Sequence, residues 1–145
     1  MKTHLFRAAL ILATASIADP ALAQLPPIQW QRTFGGNADE LLFDIIQTAD
    51  GGYAAVGRSS SGVTGDRTEA SRGLSDMWVI KLDAAGNKQW DKAIGSTIND
   101  HAANIIQTVD GGYITGGFGS GGGDRTAPVL GSVADYWMVK LNATG

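Results

Sequence analysis

Cysteine is absent from the 145-residue chain. That excludes a disulfide framework, a thiolate nucleophile and a cysteine metal site, so stability has to come from packing. Histidine is nearly absent: His4 lies near the N-terminus and His101 stands alone in the rest of the chain. No run of Lys/Arg and no basic stripe occurs, and the net charge is −3. Such a surface has no electrostatic footprint for nucleic acid. Beyond the first 23 residues no stretch is apolar enough to span a bilayer as a helix. No ten-residue stretch there has helical periodicity either. What is abundant is glycine, with 20 residues in a chain that is 43% hydrophobic and 17% charged. That composition predicts one soluble domain of short strands and many turns.

The N-terminus has Lys2 and Arg7, an apolar run from Ala8 to Ile17, and Ala21-Leu22-Ala23 before Gln24. Charge, short apolar run and A-x-A site together predict a secretory signal peptide over 1–23. The run is too short for a membrane anchor, and Asp19-Pro20 interrupts it. No cysteine follows the cleavage site, which rules out a lipid anchor at that residue. The expected destination is across the inner membrane: extracellular, cell-surface or periplasmic. Without Lys2, Arg7 and Asp19, 9 basic and 13 acidic side chains leave a net charge of −4.

The mature sequence repeats. Gln29-Trp30 recurs as Gln89-Trp90, Ile45-Ile46-Gln47-Thr48 as Ile105-Ile106-Gln107-Thr108, and Asp50-Gly51-Gly52-Tyr53 as Asp110-Gly111-Gly112-Tyr113, each displaced by 60 positions. Gly65-Asp66-Arg67-Thr68 returns at Gly123-Asp124-Arg125-Thr126 and Trp78 at Trp137. A near-constant offset of this size marks stacked or radial units. The division that follows is 24–86 as repeat 1 with its preceding strand and 87–145 as repeat 2.

Each unit offers four strands. They are Gln29 to Phe34 matched by Gln89 to Ile94, Leu42 to Thr48 by Ala102 to Thr108, Tyr53 to Gly57 by Tyr113 to Gly117, and Met77 to Leu82 by Trp137 to Leu141. In the last pair Trp78, Ile80 and Leu82 fall on one face and Val79 and Lys81 on the other, the period of a strand. Gly51-Gly52 and Gly111-Gly112 supply the positive φ of a tight hairpin. Four antiparallel strands make one β-propeller blade, and the extra length lies in loops from Ser59 to Ser75 and Gly119 to Ala134. The predicted class is therefore all-β, about two blades of an incomplete ring. Asn142-Ala143-Thr144-Gly145 corresponds to Asp83-Ala84-Ala85-Gly86, so the repeat is interrupted inside a turn. Further repeats or self-association are needed to close a ring, since propellers close with roughly 4–8 blades.

Asp76-Met-Trp-Val-Ile-Lys-Leu-Asp83, Gly86-Asn-Lys-Gln-Trp-Asp-Lys92 and Ile46-Gln-Thr-x-Asp-Gly-Gly-Tyr53 resemble the repeat of large secreted bacterial β-propeller-type proteins. In many of these a C-terminal sorting domain of the type IX secretion system follows the array. The resemblance covers the chain after Gln24 and implies an array, with no particular activity. No sorting domain is present in the sequence.

Several constellations invite a chemical reading. Asp100-His101 formally permits a Ser/His/Asp arrangement, but Leu41 occupies the matching place in the first copy, which favours a surface substitution. Asp66, Asp76, Asp124 and Asp135 bracket the two long loops and are the candidates for calcium; the alternative is that they cap turns or pair with Arg67 and Arg125. Gly117-Phe-Gly-Ser-Gly-Gly122 matches G-x-G-x-x-G as a string, yet Pro128 follows rather than a helix. Asp39, Glu40 and Asp44 have Asn99, Asp100 and Asn104 as counterparts, a poor basis for a glycosidase pair. Trp30, Trp78, Trp90 and Trp137 recur in register, expected as filling between blades, with sugar stacking as the alternative. The resulting expectation is a scaffold or interaction module with no catalytic activity of its own and no cofactor, binding a protein or glycan through its loops. The alternatives are a carbohydrate-binding module and a piece of a larger propeller enzyme.

Overall fold

The computed structural model describes residues 26–131 and 133–145. The signal peptide predicted over 1–23 lies outside these residues. Among those described, no helix is long and apolar enough to cross a membrane. Over the described residues the architecture is all-β: seven strands in two antiparallel sheets, each a simple meander. β1 (Glu40–Gln47), β2 (Tyr53–Ser59), β3 (Asp76–Leu82) and β4 (Lys88–Ile94) form the first; β5 (His101–Gln107), β6 (Tyr113–Gly119) and β7 (Asp135–Leu141) form the second. This is the arrangement of two successive blades in a ring that is not closed.

The hairpins form for reasons visible residue by residue. After β1, Thr48 N–H donates to Gly52 O and Gly51 N–H to Thr48 O, both at 2.9 Å. Gly51 takes φ 80°, and Gly111 repeats it at 80°. Gly52 is needed for space: a Cβ there would lie 2.2 Å from Leu82 O, and one on Gly112 would lie 2.4 Å from Leu141 O. Asp50 Oδ1 accepts from Gly52 N–H at 3.0 Å and Oδ2 from Lys81 Nζ at 2.8 Å. With these donors around it, led by Lys81, the Asp50 carboxyl stays well below the usual carboxylate range.

A bulge interrupts β1 between Leu42 and Asp44, and β5 repeats it between Ala102 and Asn104. Each bulge drives a carbonyl over a glycine on the neighbouring strand. A Cβ on Gly57 would lie 2.0 Å from Leu41 O, and one on Gly117 would lie 1.8 Å from His101 O. Gly57→Ala is therefore expected to cost about 1–3 kcal/mol in urea unfolding, because backbone rather than a movable side chain meets the methyl. An unchanged midpoint would contradict the bulge geometry.

The main core lies between the sheets. Ala54, Val56, Met77, Val79 and Ile94 from the first pack with Ala102, Ile105, Tyr113, Trp137 and Leu141 from the second. Polar links cross the same boundary: Asp44 Oδ2 accepts from Ile105 N–H at 2.9 Å, and Gln107 Oε1 accepts from Ala49 N–H at 2.8 Å. Trp78, Ile80 and Leu82 cover the opposite face of the first sheet together with Trp30, Phe34 and Tyr53. Both faces of β3 are thus covered, which is why all seven of its residues are buried.

Two features differ from the sequence reading. The predicted strand from Gln29 to Phe34 is not formed; residues 26–36 have no strand assignment. Its counterpart β4 is a strand because it pairs with β3 of the first sheet, from Met77↔Ile94 to Leu82↔Lys88. The 29–34 stretch has no such partner among the described residues: the strand it would pair with is an equivalent of β3. The first sheet also runs across the 86/87 sequence boundary, taking its outer strand from the second repeat.

Candidate functional site

The antiparallel meander places all the tight turns, 48–52, 83–87 and 108–112, at one end of the sheets. Loops 60–75 and 120–134 and the connection 95–100 gather at the other. That loop end is the candidate site, because long connections on a rigid scaffold are where binding residues are placed.

Each long loop is pinned by an arginine folded beneath it. Arg67 is fully buried and forms an ion pair with Asp76, the first residue of β3. It also donates to Ser59 Oγ at 2.9 Å and to Glu69 O at 3.1 Å. Arg125 repeats the device with Asp135 at 3.3 Å and Pro128 O at 3.2 Å. Asp66 and Asp124 close the loops from the other side, each accepting through Oδ2 at 3.1 Å from the amide of Gly35 or Gly95. The four calcium candidates are thus engaged separately: Asp76 faces Arg67, Asp135 faces Arg125, Asp66 faces a backbone amide, and Asp124 faces a backbone amide and Arg72. Among the described residues there is no group of three or more metal-ligating side chains.

The loops are sewn together. Leu74 N–H donates to Ile98 O at 2.9 Å, Asp100 N–H to Ser75 O at 2.8 Å, and Arg72 pairs with Asp124 of the second repeat at 3.0 Å. On this framework Val63, Leu74, Ile98, Leu130 and Val133 are exposed.

His101 sits at the same end, at the start of β5. Its ring stacks between Phe118, 4.7 Å away, and Phe43, 6.2 Å away, with Arg58 Nη1 3.4 Å from Nε2. Burial, and then the Arg58 charge, lower the imidazole pKa. Asp100 does not bond to it. The Asp100 carboxylate turns inward, accepting from Ser96 N–H through Oδ2, while buried Oδ1 has no partner. The triad geometry is not assembled at this histidine. Phe43 and Phe118 carried no sequence signal, since only the bulge and the sheet pairing bring them to His101.

Burial raises the Asp100 pKa, with a contribution from Asp76, so the proton is held more tightly in the folded than in the unfolded chain. The ionised form destabilises the fold above the folded pKa, and the penalty disappears below the unfolded value of about 4. Relative to Asp100→Asn, the parent chain is expected to lose melting temperature as pH rises through that window. Parallel pH profiles for the two proteins would contradict this.

The other candidates are structural in placement. Glu40 accepts from Ser61 Oγ at 2.6 Å and Ser59 Oγ at 2.9 Å. Burial alone would raise its pKa, but these hydroxyls and the Gly36 amide outweigh it and lower it. Gly117 and Gly119 belong to β6 and precede no helix. Trp78 and Trp137 are buried, while Trp30 and Trp90 are half-buried and meet Tyr53 and Tyr113 edge-on at 5.4 and 5.7 Å. No protein-family model matches the chain, and no curated protein matches it.

Proposed function

We propose that the chain is an exported β-propeller-type repeat module serving as a scaffold or interaction surface, with binding at the loop end and no catalysis of its own. The observation that carries this reading is the set of exposed apolar side chains at the loop end, Leu74, Ile98 and Leu130 foremost, with buried Arg67 and Arg125 pinning the two long loops and Leu74 N–H donating to Ile98 O. A preorganised apolar surface loses little entropy on binding. The packed tryptophans support a loop-centred reading over one based on sugar stacking.

The test places a photo-crosslinking amino acid at Leu130, at Leu74, or at Val109 in the opposite turn, in a host that exports the chain. Adducts from positions 130 and 74 but not 109 are expected. Adducts from 109 alone, or from none of the three, would overturn the reading. The same preparation tests export: the mature N-terminus is expected to be Gln24, and retention of Met1 would contradict it.

A further inference from the structure

We infer that Arg58 and His101 form an anion-binding site where β1 and β2 meet β5 and β6, and that its ligand is a small carboxylate with an apolar body. The site is separate from the exposed loop residues. All four of its walls are strands described above, so it is complete within the two sheets.

Both residues depart from the repeat. Arg58 has Phe118 as its counterpart 60 positions on, and His101 has Leu41 60 positions back. Sheet register agrees: Leu41 pairs with Arg58 in the first sheet, and His101 with Phe118 in the second. A leucine–arginine pair in one unit is thus a histidine–phenylalanine pair in the other. Stacking of the sheets brings the two polar members together, with Arg58 Nη1 3.4 Å from His101 Nε2. The residues that pin the loops are, by contrast, kept in both copies, Arg67 with Asp76 and Arg125 with Asp135.

Charge balance singles out Arg58. Seven of the nine Lys and Arg side chains among the described residues form ion pairs. Arg32 is exposed, so water solvates it. Arg58 is half-buried and has no carboxylate partner among the described residues, and its buried Nε has no hydrogen-bond partner. Its one polar contact is the His101 ring, which accepts from the guanidinium when neutral but supplies no counter-charge. The carboxylates beside the site are committed elsewhere: Glu40 to the Ser59 and Ser61 hydroxyls, and Asp100 to Ser96 N–H. A charge drawn partly out of water without a counter-charge has an uncompensated desolvation cost, which an arriving anion offsets.

The surroundings select the body of the anion. The His101 ring stacks on Phe118 at 4.7 Å and 29°, and on Phe43 at 6.2 Å and 20°. Phe43 is the bulged residue of β1, as Ala103 is of β5. That position is exposed in both units, with the neighbouring sheet after it for Phe43 and before it for Ala103. An aromatic ring laid beside Phe43 loses water from both faces in contact, and its carboxylate meets a guanidinium whose fork of donors suits it. Acetate has the charge without the ring, and inorganic phosphate is hydrated on every side, so neither gains from these flanks.

The test follows the His101 ring by proton NMR while sodium benzoate, acetate or inorganic phosphate is added at constant ionic strength. The chain has two histidines, His4 and His101, and the His101→Asn variant assigns the resonance. Benzoate is expected to shift it saturably with a roughly millimolar dissociation constant, and acetate and phosphate to bind at least about tenfold more weakly. Burial and the Arg58 charge hold the His101 pKa down, against Asp100 on its own strand; Phe43 and Phe118 are uncharged. A bound carboxylate offsets the Arg58 charge, so that pKa should rise in saturating benzoate, and affinity should increase as pH falls through it. Arg58→Gln should abolish the benzoate shift with an unchanged circular dichroism spectrum, while Arg32→Gln should leave it intact. Absence of a saturable shift in the parent chain would overturn the inference. So would equal affinity for benzoate and acetate, or equal losses in the two arginine variants. The parent titrations decide even where Arg58→Gln does not fold. Crosslinked adducts at Leu74 and Leu130 involve neither Arg58 nor His101, so this site and the loop reading fail separately.

Discussion

Asp76→Ala is expected to destabilise the fold by about 3–5 kcal/mol, since it leaves the buried guanidinium of Arg67 without its counter-charge. Both side chains of that pair are fully inaccessible. The remaining partners of Arg67, Ser59 and Glu69 O, are neutral. Domains of this size have total stabilities of about 5–15 kcal/mol, so the variant sits near the unfolding threshold. Asp135→Ala is the internal control. Arg125 is buried, but Asp135 is partly exposed and the arginine keeps several carbonyl acceptors, so roughly half the effect is expected. Urea titration of the two variants checks the order; equal losses would contradict the difference in burial.

Trp137→Ala is expected to cost about 3–5 kcal/mol by opening a cavity between the sheets. Trp137 belongs to the core that joins them, whereas Trp78, at the matching position, packs against residues 30–34. The variants should therefore differ in kind. Trp137→Ala should loosen the second sheet from the first, and Trp78→Ala should release the N-terminal segment while the sheets stay together. Limited proteolysis distinguishes them: cleavage in 95–100 for the former and in 28–36 for the latter. The same pattern from both would contradict the assignment of the two clusters.

Much of this fold was legible because the signals are local. Asp-Gly-Gly at 50–52 and 110–112 announces a turn whose φ and crowding only glycine satisfies, and the alternation in Met77 to Leu82 marks a strand directly. The pairing of Arg67 with Asp76 was visible as one of two uses for those aspartates. What was hidden depends on partners distant in sequence. The stretch 29–34 reads as a strand by likeness to β4, yet a strand needs a neighbour and β4 owes its own to β3. The bulges at 42–44 and 102–104 leave no mark in the alternation, so the crowding at Gly57 and Gly117 has no signal in the sequence. His101 meets Phe118 as its cross-strand partner in the β5–β6 pairing, whereas its stacking on Phe43 follows from sheet-on-sheet register, which no spacing in the chain encodes.

The face-to-face stacking of the two repeats is tested most directly by amide hydrogen exchange at Ile105, whose N–H reaches across the boundary to Asp44 Oδ2 at 2.9 Å. A hydrogen bond to a charged group contributes about 1.5–3 kcal/mol, so Ile105 should exchange slowly in the parent chain and at least about tenfold faster in Asp44→Ala. The amides of β3 should be unchanged. Rapid exchange at Ile105 in the parent, or protection that persists in Asp44→Ala, would mean that the sheets do not stack in this register.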